Sequence, residues 1–225
     1  MYKNKNMFDL EHTIASALFR EKEFPWEVLP LIEDFIKEIG PSLSSDEFDY
    51  IDEYIWISKS ATVAASASIT GPCIICDKSE IRHCAFIRGN AIVGRNAVVG
   101  NSTELKNVIL FDNVQVPHYN YVGDSILGYK SHMGAGSITS NVKSDKTIVK
   151  VKLDEHEIDT GLKKFGAILG DCVEVGCNSV LNPGAVIGRN TNIYPLSSVR
   201  GVIPESSIFK ANDKIVNKSK QATDI

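Results

Sequence analysis

A short run of residues concentrates side chains suited to acid–base chemistry. His118 stands in the segment Val-Pro-His-Tyr-Asn-Tyr-Val-Gly-Asp, residues 116–124, where the regular spacing of the chain is interrupted. An imidazole changes charge near neutral pH and can accept a proton from a group within hydrogen-bond reach. We therefore predict that His118 is a general base. The alternative is that its ring only fills the interruption and bonds a backbone carbonyl.

Two cations that precede this segment are spaced for stacking. Arg88 and Lys106 are 18 residues apart, and each follows an aliphatic residue. If one coil of a repeating fold takes 18 residues, their side chains lie about 5 Å apart on neighbouring strands. Like charges at that distance repel unless an anion lies near them, and a phosphate would suit. The alternative is a solvated ladder of charges that is screened by Glu104.

A six-residue repeat predicts the elements that must position these side chains. Aliphatic residues recur every sixth position in two runs, with a small residue four positions after nearly all of them. The runs are Ile57, Val63, Ile69, Ile75, Ile81, Ile87, Val93, Val99 and Leu105, then Leu169, Val175, Leu181, Ile187, Ile193 and Val199. This period fits neither one helix face nor strand alternation, but it fits a short strand plus a tight corner. Stacked units of this kind bury a continuous core, and we expect about seven coils in which these aliphatic residues are almost fully buried.

The remaining segments do not follow the repeat. Residues 1–52 are predicted to be a helical N-terminal cap over the first coil, with a helix after Asp9, a second after Phe24-Pro25 and a short third one from Ser45. Residues 53–209 form the β-helix domain, from which a loop excursion with a hairpin projects at residues 142–165. Residues 210–225 read as a polar tail with a frayed end.

Composition excludes several classes of protein. The 225 residues are 43% apolar and 23% charged, with a net charge of −4, which is typical of a soluble protein with a core. The 24 basic residues are not clustered as a nucleic-acid site requires. There is neither a membrane span nor a signal peptide, so we expect a cytoplasmic protein with reduced cysteines and no membrane partner.

The blocks at residues 104–107, 116–125 and 134–141 resemble the acetyltransferase domain of bifunctional N-acetylglucosamine-1-phosphate uridyltransferase/glucosamine-1-phosphate acetyltransferase. The excursion ending at residues 162–167 is similar to the variant of this domain on archaeal-type sugar-1-phosphate nucleotidyltransferases. The likeness covers residues 55–205. It implies a left-handed parallel β-helix that forms a homotrimer with active sites between subunits. It also implies acetyl-CoA as the acyl donor and an amino-sugar 1-phosphate as the acceptor.

The resemblance also implies roles for individual residues. His118 matches the catalytic base, and Glu104 matches an acidic residue beside it. Residues that match contacts to the amino-sugar phosphate are Arg88, Lys106, Tyr121, His132, Asn141 and Lys164. Residues that match or fall near the acetyl-CoA groove are Ala135, Cys177 and Pro195. A backbone N–H near the Gly-Ala-Gly at residues 134–136 is the expected oxyanion donor in a direct transfer without a covalent enzyme intermediate.

Two departures from the family pattern leave a second function open. His132 replaces an asparagine that contacts substrate, and Val142 replaces a tyrosine. The chain also lacks a nucleotidyltransferase domain, so we expect that it does not make a nucleotide sugar by itself. The alternative to an enzyme is a non-catalytic sugar-phosphate-binding or oligomerisation module that descends from one.

Metal sites are the remaining alternative. Cys73 and Cys76 form a C-x-x-C motif followed by His83-Cys84, but a second pair is absent and the repeat already explains the first. A γ-class carbonic anhydrase site needs a histidine five residues after His118, and that position is Gly123. Cys172 and Cys177 are expected to be small residues in or beside the core. We predict no metal.

Overall fold

The six-residue repeat folds as a prism of short parallel strands. A computed structural model describes residues 2–153, 156–210 and 213–218. The chain visits three sheet faces in turn, named A, B and C here, with tight corners between them. This confirms the predicted fold class, a left-handed parallel β-helix with a small N-terminal helical segment.

Each face is a stack of parallel strands, one from each coil. Face A holds Ile55–Ser58, Cys73–Ile75, Ala91–Val93, the second halves of Glu104–Leu110 and Tyr121–Leu127, Ala167–Leu169, Ala185–Ile187 and Val202–Ile203. Face B holds Thr62–Val63, Glu80–Ile81, Val98–Asn101, Gln115–His118, His132–Met133, Glu174–Val175, Asn192–Ile193 and Ser207–Lys210. Face C holds Ser68–Thr70, Phe86–Arg88, the first halves of Glu104–Leu110 and Tyr121–Leu127, Ile138–Thr139, Val180–Leu181 and Ser198–Val199. Faces A and B thus have eight parallel strands each, one more than the seven coils expected.

The predicted inward residues form the core, except at the first coil. From Ile75 onward the repeat aliphatics are at most 3% exposed. In the first coil Ile57 and Ile69 are only partly buried and Val63 is 36% exposed. The expectation that every repeat aliphatic is almost fully buried is therefore wrong there, because no coil lies below to cover the interior.

The N-terminal segment covers face A instead of that open end. Its helices are Asn4–Met7, Ser16–Phe19 and Ile32–Ile39, and its 3-10 turns are Leu10–His12, Pro25–Leu31 and Gly40–Ser42. Hydrogen bonds from Asp9 N to Asp171 Oδ2 (2.8 Å) and from Asn90 Nδ2 to Glu33 Oε2 (3.4 Å) tie it to coils far apart along the prism. Only strand Phe48–Tyr50, antiparallel to Ile55–Ser58, extends a sheet past the first coil.

This covering layer explains an apolar feature of face A that the repeat alone does not require. In five of its strands the outward side chain in the middle is a fully buried isoleucine, namely Ile74, Ile92, Ile109, Ile126 and Ile168, and Val186 takes the same place in a sixth. Each buried side chain of this size contributes roughly 1.5–3 kcal/mol. A parallel sheet that is buried on both sides is apolar throughout.

Two local expectations for the segments outside the repeat need correction. The stretch after Asp9 is two short helical pieces separated by residues 13–15, although Asp9 does cap the first by accepting from Glu11 N (3.1 Å). The stretch from Ser45 leads into strand Phe48–Tyr50 and not into a helix. In the tail, Lys214–Asn217 pairs antiparallel with Ser207–Lys210; the end that was predicted to be frayed, residues 219–225, lies outside the described residues, as do residues 211–212.

The excursion contains the expected hairpin. Strands Lys150–Leu153 and His156–Asp159 pair antiparallel, with residues 154–155 outside the described part. Val149 and Val151 are at most 1% exposed, so the hairpin packs on the prism.

The interruption of the repeat lies at a different place from the one predicted. Strand Gln115–His118 pairs in register with Val98–Asn101, so the chain is regular at His118. The shift arises at Asn107, which alone makes the corner between faces C and A, where the coil before uses Gly89 and Asn90. Asn107 has a φ of 54°, a left-handed conformation that asparagine tolerates well.

Candidate functional site

The base and cofactor positions predicted from the sequence lie in one column at the corner between faces B and C. His118, Ala135, Cys177 and Pro195 occupy the same place on successive coils. Backbone bonds fix the order: Gly136 N donates to His118 O (3.0 Å), Asn178 N to Ala135 O (2.9 Å) and Leu196 N to Cys177 O (2.9 Å). The structure therefore brings together the four residues that the resemblance linked to proton transfer and acetyl-CoA.

A buried amide holds the turn that carries His118. Asn120 is 2% exposed, and its Oδ1 accepts from His118 N (3.1 Å). Its Nδ2 donates to Gly134 O (2.9 Å) and Ser137 O (3.0 Å) on the next coil. The imidazole of His118 is exposed at the surface of this fixed turn, where it can reach a bound molecule.

The backbone narrows the choice of oxyanion donor at residues 134–136. Gly134 N donates to Val175 O (2.7 Å) and Gly136 N donates to His118 O (3.0 Å), so neither amide is available. Ala135 N–H has no acceptor among the described residues. Ala135, directly above His118 in the column, is thus the donor that this loop can offer.

Arg88 and Lys106 stack on face C as predicted, but each has a carboxylate partner. Leu105 pairs with Ile87, which places Lys106 beside Arg88. Arg88 Nη1 lies 2.6 Å from Glu104 Oε1, and Lys106 Nζ lies 3.7 Å from Asp124 Oδ2. The hydrogen bond to Glu104 raises the pKa of Arg88 further. Within one chain Glu104 therefore contacts Arg88, and its place beside the base stays a prediction.

Asp124 connects the predicted sugar-phosphate residues of face C. Its side chain is 5% exposed, and besides Lys106 it accepts from Asn107 Nδ2 (3.0 Å) and from Asn141 Nδ2 (2.5 Å). Asn141 Nδ2 also reaches Tyr121 Oη (3.2 Å). One carboxylate thus fixes a lysine and two amides in a single network.

Tyr121 lies over a glycine that leaves room for it. A Cβ on Gly123 would fall 2.5 Å from Tyr121 Oη, so the ring folds across the position where another residue would carry a side chain. Burial, with Asp124 and Glu104 nearby, raises the pKa of Tyr121. The phenol therefore stays neutral at physiological pH and can donate a hydrogen bond.

Two further predicted residues differ in placement. Phe165 N donates to Asn141 O (2.9 Å), so the neighbouring Lys164 lies beside the face C network with an exposed side chain. His132 lies on face B, where its Nδ1 is 2.9 Å from Glu174 Oε2. The structure does not join His132 to the other predicted substrate residues.

The column that contains His118 and the network of side chains around Asp124 lie at opposite edges of face C. Arg88 and Lys106 precede the corner to face A, whereas His118 precedes the strand Tyr121–Leu127 at the other edge. Within residues 2–153, 156–210 and 213–218, no hydrogen bond or ion pair joins His118 to Arg88 or Lys106. One chain alone does not bring the base into contact with the two cations.

Sequence reasoning missed Asp124, Gly123 and Asn120. Like Asn107, Asp124 makes a one-residue corner between faces C and A, and its φ is 47°. The signal in the sequence is the residue type, because Asp and Asn are favoured at such φ values. That signal identifies a corner but does not reveal which side chains the carboxylate contacts.

The cysteines and acidic residues show no metal arrangement in the described part of the chain. No group of three or more His, Cys, Asp or Glu side chains is placed to hold an ion there. Cys73 and Cys76 are buried, and burial raises the pKa of each thiol to about 12. Cys172 and Cys177, expected in or beside the core, are exposed at corners. The described ranges also contain no helix that is long and apolar enough to cross a bilayer.

The fold and these two sets of residues define a hexapeptide-repeat β-helix, and comparisons with known proteins place it in a family. Residues 69–187, more than half of the chain, match the GMPPB C-terminal domain family. The chain belongs to this family. The matched range contains all of the predicted site residues except Pro195.

Curated relatives confirm the resemblance predicted from the sequence. The bifunctional protein GlmU of Methanococcus maripaludis is 34% identical over 119 residues, which are 52% of this chain and 29% of that protein. The bifunctional sugar-1-phosphate nucleotidylyltransferase/acetyltransferase of Sulfurisphaera tokodaii is 34% identical over 107 residues, 48% of this chain and 27% of that protein. The chain thus matches less than a third of the length of these relatives.

Solved structures are similar at lower identity. A hexapeptide transferase family protein from Anaplasma phagocytophilum has 14% identity and a TM-score of 0.42, over 72% of this chain and 78% of that one. GDP-perosamine N-acetyl transferase from Caulobacter crescentus, as a mutant in complex with CoA and GDP-perosamine, has 17% identity and a TM-score of 0.32, over 82% of this chain and 65% of that one.

Proposed function

We propose that the protein is an acetyl-CoA-dependent N-acetyltransferase that acts on an amino-sugar 1-phosphate, with His118 as general base. The observation that carries the proposal is the column of His118, Ala135, Cys177 and Pro195 at one edge of face C. Family membership over residues 69–187 supports it. So do the names of two relatives, a bifunctional protein GlmU and a bifunctional sugar-1-phosphate nucleotidylyltransferase/acetyltransferase.

The column offers what a thioester donor requires. Ala135, Cys177 and Pro195 are small or compact, so an extended chain can lie along the corner close to the backbone. The free Ala135 N–H can donate to the carbonyl oxygen as it becomes an oxyanion. Acetyl-CoA would thus lie along this corner with its thioester near His118.

Proton transfer then follows from the position of His118. An amino sugar is an ammonium ion at neutral pH, and it first loses one proton to solvent so that its neutral nitrogen can attack. As the new N–C bond forms, the exposed imidazole of His118 accepts a second proton from that nitrogen. The C–S bond then breaks and the imidazolium gives this proton to the departing CoA thiolate, so no covalent bond to the protein is needed.

The phosphate of the acceptor would bind at the face C network. Arg88, Lys106 and Lys164 supply positive charge, and the Tyr121 hydroxyl supplies a hydrogen-bond donor, which the Asn141 amide holds in place by donating to Tyr121 Oη. Because these residues lie at the edge opposite His118 in one chain, we propose that the network of one subunit faces the column of the next in a homotrimer.

Two contacts favour a second candidate function, the non-catalytic sugar-phosphate-binding module. Glu104 already neutralises Arg88, and Glu174 holds His132 on face B, away from the network. A phosphate must displace Glu104 or share Arg88 with it. Two other features speak against this second function. A domain that only binds sugar phosphate would need neither the free Ala135 N–H nor an exposed His118.

The experiment that separates the two functions is a screen for released CoA. The protein is incubated with acetyl-CoA and a set of hexosamine 1-phosphates, and mass spectrometry follows free CoA and acetylated sugar together. If the protein is an acetyltransferase, free CoA and acetylated sugar should appear in equal amounts with at least one of the sugars. Saturable sugar-phosphate binding by calorimetry with no product from any sugar would support the module instead.

A further inference from the structure

A cavity in the described part of the chain lies away from His118, between the excursion and the prism. It encloses about 820 Å³. Its floor is the edge of faces C and A at Ser140, Asn182 and Arg200, and its opposite wall is the first half of the excursion. We name it the hairpin cleft. Cavities of about 300–1,000 Å³ hold small molecules in proteins.

Both walls of the hairpin cleft are fixed before any ligand binds. Ser140 N donates to Leu181 O (2.8 Å) and Asn182 N donates to Val199 O (2.9 Å), which locks the floor into the stacked coils. On the other side, Val149 N donates to Leu162 O (2.8 Å), and the Val149 side chain is 1% exposed. A rigid cleft loses little conformational entropy on binding.

Charge in the hairpin cleft is strongly unbalanced. Its lining includes the cations Lys143, Lys150, Lys152 and Arg200 and a single carboxylate, Glu157. Lys150 and Lys152 share that carboxylate at 3.3 Å and 3.4 Å. Arg200 has no ion pair or side-chain hydrogen bond among the described residues.

Lys143, the remaining cation of the lining, pairs with Asp145, which is not part of the lining; the two lie 3.4 Å apart. Two positive charges in the cleft are therefore left without a carboxylate. One comes from the pair of lysines that share Glu157, and the other comes from Arg200. Two uncompensated cations suit a ligand that carries two negative groups, and guanidinium and ammonium groups bind phosphate well.

The lining also presents apolar side chains to solvent. Val142 is 43% exposed and Ile148 is 37% exposed, and both lie among the lysines. A simple inorganic anion would leave this surface in water. We propose that the hairpin cleft binds a nucleoside diphosphate, free or as the nucleotide part of a sugar nucleotide, with its phosphates at Arg200 and Lys150 and its nucleoside against Val142 and Ile148.

This site is additional to the one proposed for acetyl transfer. Ser140, Asn182 and Arg200 lie on later coils in register with Arg88 and Lys106, at the edge of face C opposite the column of His118. The backbone of residues 140–142 is common to both places, but the Asn141 amide turns to Tyr121 and Asp124, away from the cleft lining. Binding in the cleft therefore does not depend on catalysis at His118.

The test is a calorimetric titration of the full chain at low ionic strength with UDP, UDP-glucose and pyrophosphate. UDP should saturate a single site per chain and bind roughly tenfold more tightly than pyrophosphate, because only UDP has a nucleoside to cover the apolar lining. Equal affinity for UDP and UDP-glucose would identify the free nucleotide as sufficient, and binding of UDP-glucose alone would identify a sugar nucleotide. Added salt should weaken binding.

Matched variants locate the site. Arg200→Ala and Lys150→Met should each weaken UDP binding by about 5- to 20-fold, since each removes a charged contact to phosphate. Arg82→Ala removes the same charge from face B, where Arg82 pairs with Glu80, and should bind like the parent protein. The proposal is overturned if no nucleotide saturates, if pyrophosphate binds as tightly as UDP, or if Arg82→Ala weakens binding as much as Arg200→Ala. None of these outcomes depends on whether acetyl transfer occurs.

Discussion

Asp124 is the carboxylate on which the side chains of the face C network converge. Its single, nearly buried carboxylate holds Lys106, Asn107 and Asn141, and its neighbour Gly123 makes the space into which Tyr121 folds. None of these contacts can be inferred from residue type. They depend on the one-residue corner at position 124, which turns the side chain back toward face C.

The first prediction concerns this carboxylate. Asp124→Asn keeps the shape of the side chain but removes the charge that pairs with Lys106 and leaves one acceptor oxygen in place of two, so either Asn107 or Asn141 faces an amide N–H. The acceptor-sugar KM should rise by about tenfold or more while kcat changes little, because the network positions substrate and does not transfer protons.

Asp112→Asn is the matched control for that prediction. Asp112 is also a nearly buried corner carboxylate, 7% exposed, and it accepts from Arg95 N (2.7 Å) far from the network. It should change the unfolding temperature without changing KM. A folded Asp124→Asn protein with the parent KM would show that the network does not hold the acceptor.

Single residues could be chosen from the sequence where a motif or a register identifies them. The stacking of Arg88 on Lys106 followed from an 18-residue separation, and His118 followed from its surroundings. His132 shows the limit of this reasoning: it matches a substrate position, yet its proximity to Glu174 on the next coil of face B decides where the ring lies. Such a partner is 42 residues away in the chain and cannot be read from a local pattern.

At the scale of elements, the corner between faces B and C is the feature that organises chemistry. Each coil adds one residue to the column, so a continuous line of side chains along the corner is a direct result of stacking. The period of six predicts the strands and the inward residues well. It does not predict that face A would be apolar on its outer side, because that requires knowledge of the segment that covers it.

The second prediction uses the cysteines to test this corner. In a Cys84→Ser, Cys172→Ser background, N-ethylmaleimide should label only Cys177, which is exposed in the column. Cys73 and Cys76 should stay unlabelled, because their pKa near 12 keeps them as thiols and the thiolate is the reactive form. Mass spectrometry of intact and digested protein measures the sites.

Labelling of Cys177 should also abolish acetyl transfer, and CoA should slow the labelling by occupying the corner. The Cys177→Ser protein in the same background should remain active after the reagent. Full activity of a protein that is completely labelled at Cys177 would place the acyl donor elsewhere.

For the whole molecule, the arrangement of layers decides which surfaces can meet another copy. The N-terminal segment and the excursion bury face A, so faces B and C and their shared corner remain for contacts between subunits. The sequence predicted a cap at the first coil, and the reason for the difference is physical. Five outward isoleucines on face A offer far more apolar area than the open end of one coil.

The third prediction is that the protein is a homotrimer in solution. Sedimentation equilibrium at micromolar concentration should give three copies of the chain, because His118 and the pair Arg88 and Lys106 lie at opposite edges of face C and need a neighbouring subunit to meet. Mixing a His118→Ala chain with an Arg88→Ala chain should restore part of the activity, since mixed trimers contain one intact site. A monomer with full activity would contradict this assembly.

The most direct test of the account is the turnover of the His118→Ala protein. If His118 is the general base, kcat should fall by about 10²- to 10⁴-fold, while acetyl-CoA affinity measured by calorimetry stays at the parent value. A folded, trimeric His118→Ala protein with undiminished acetyl transfer would contradict the account. His118 would then have only a structural role at the corner between faces B and C.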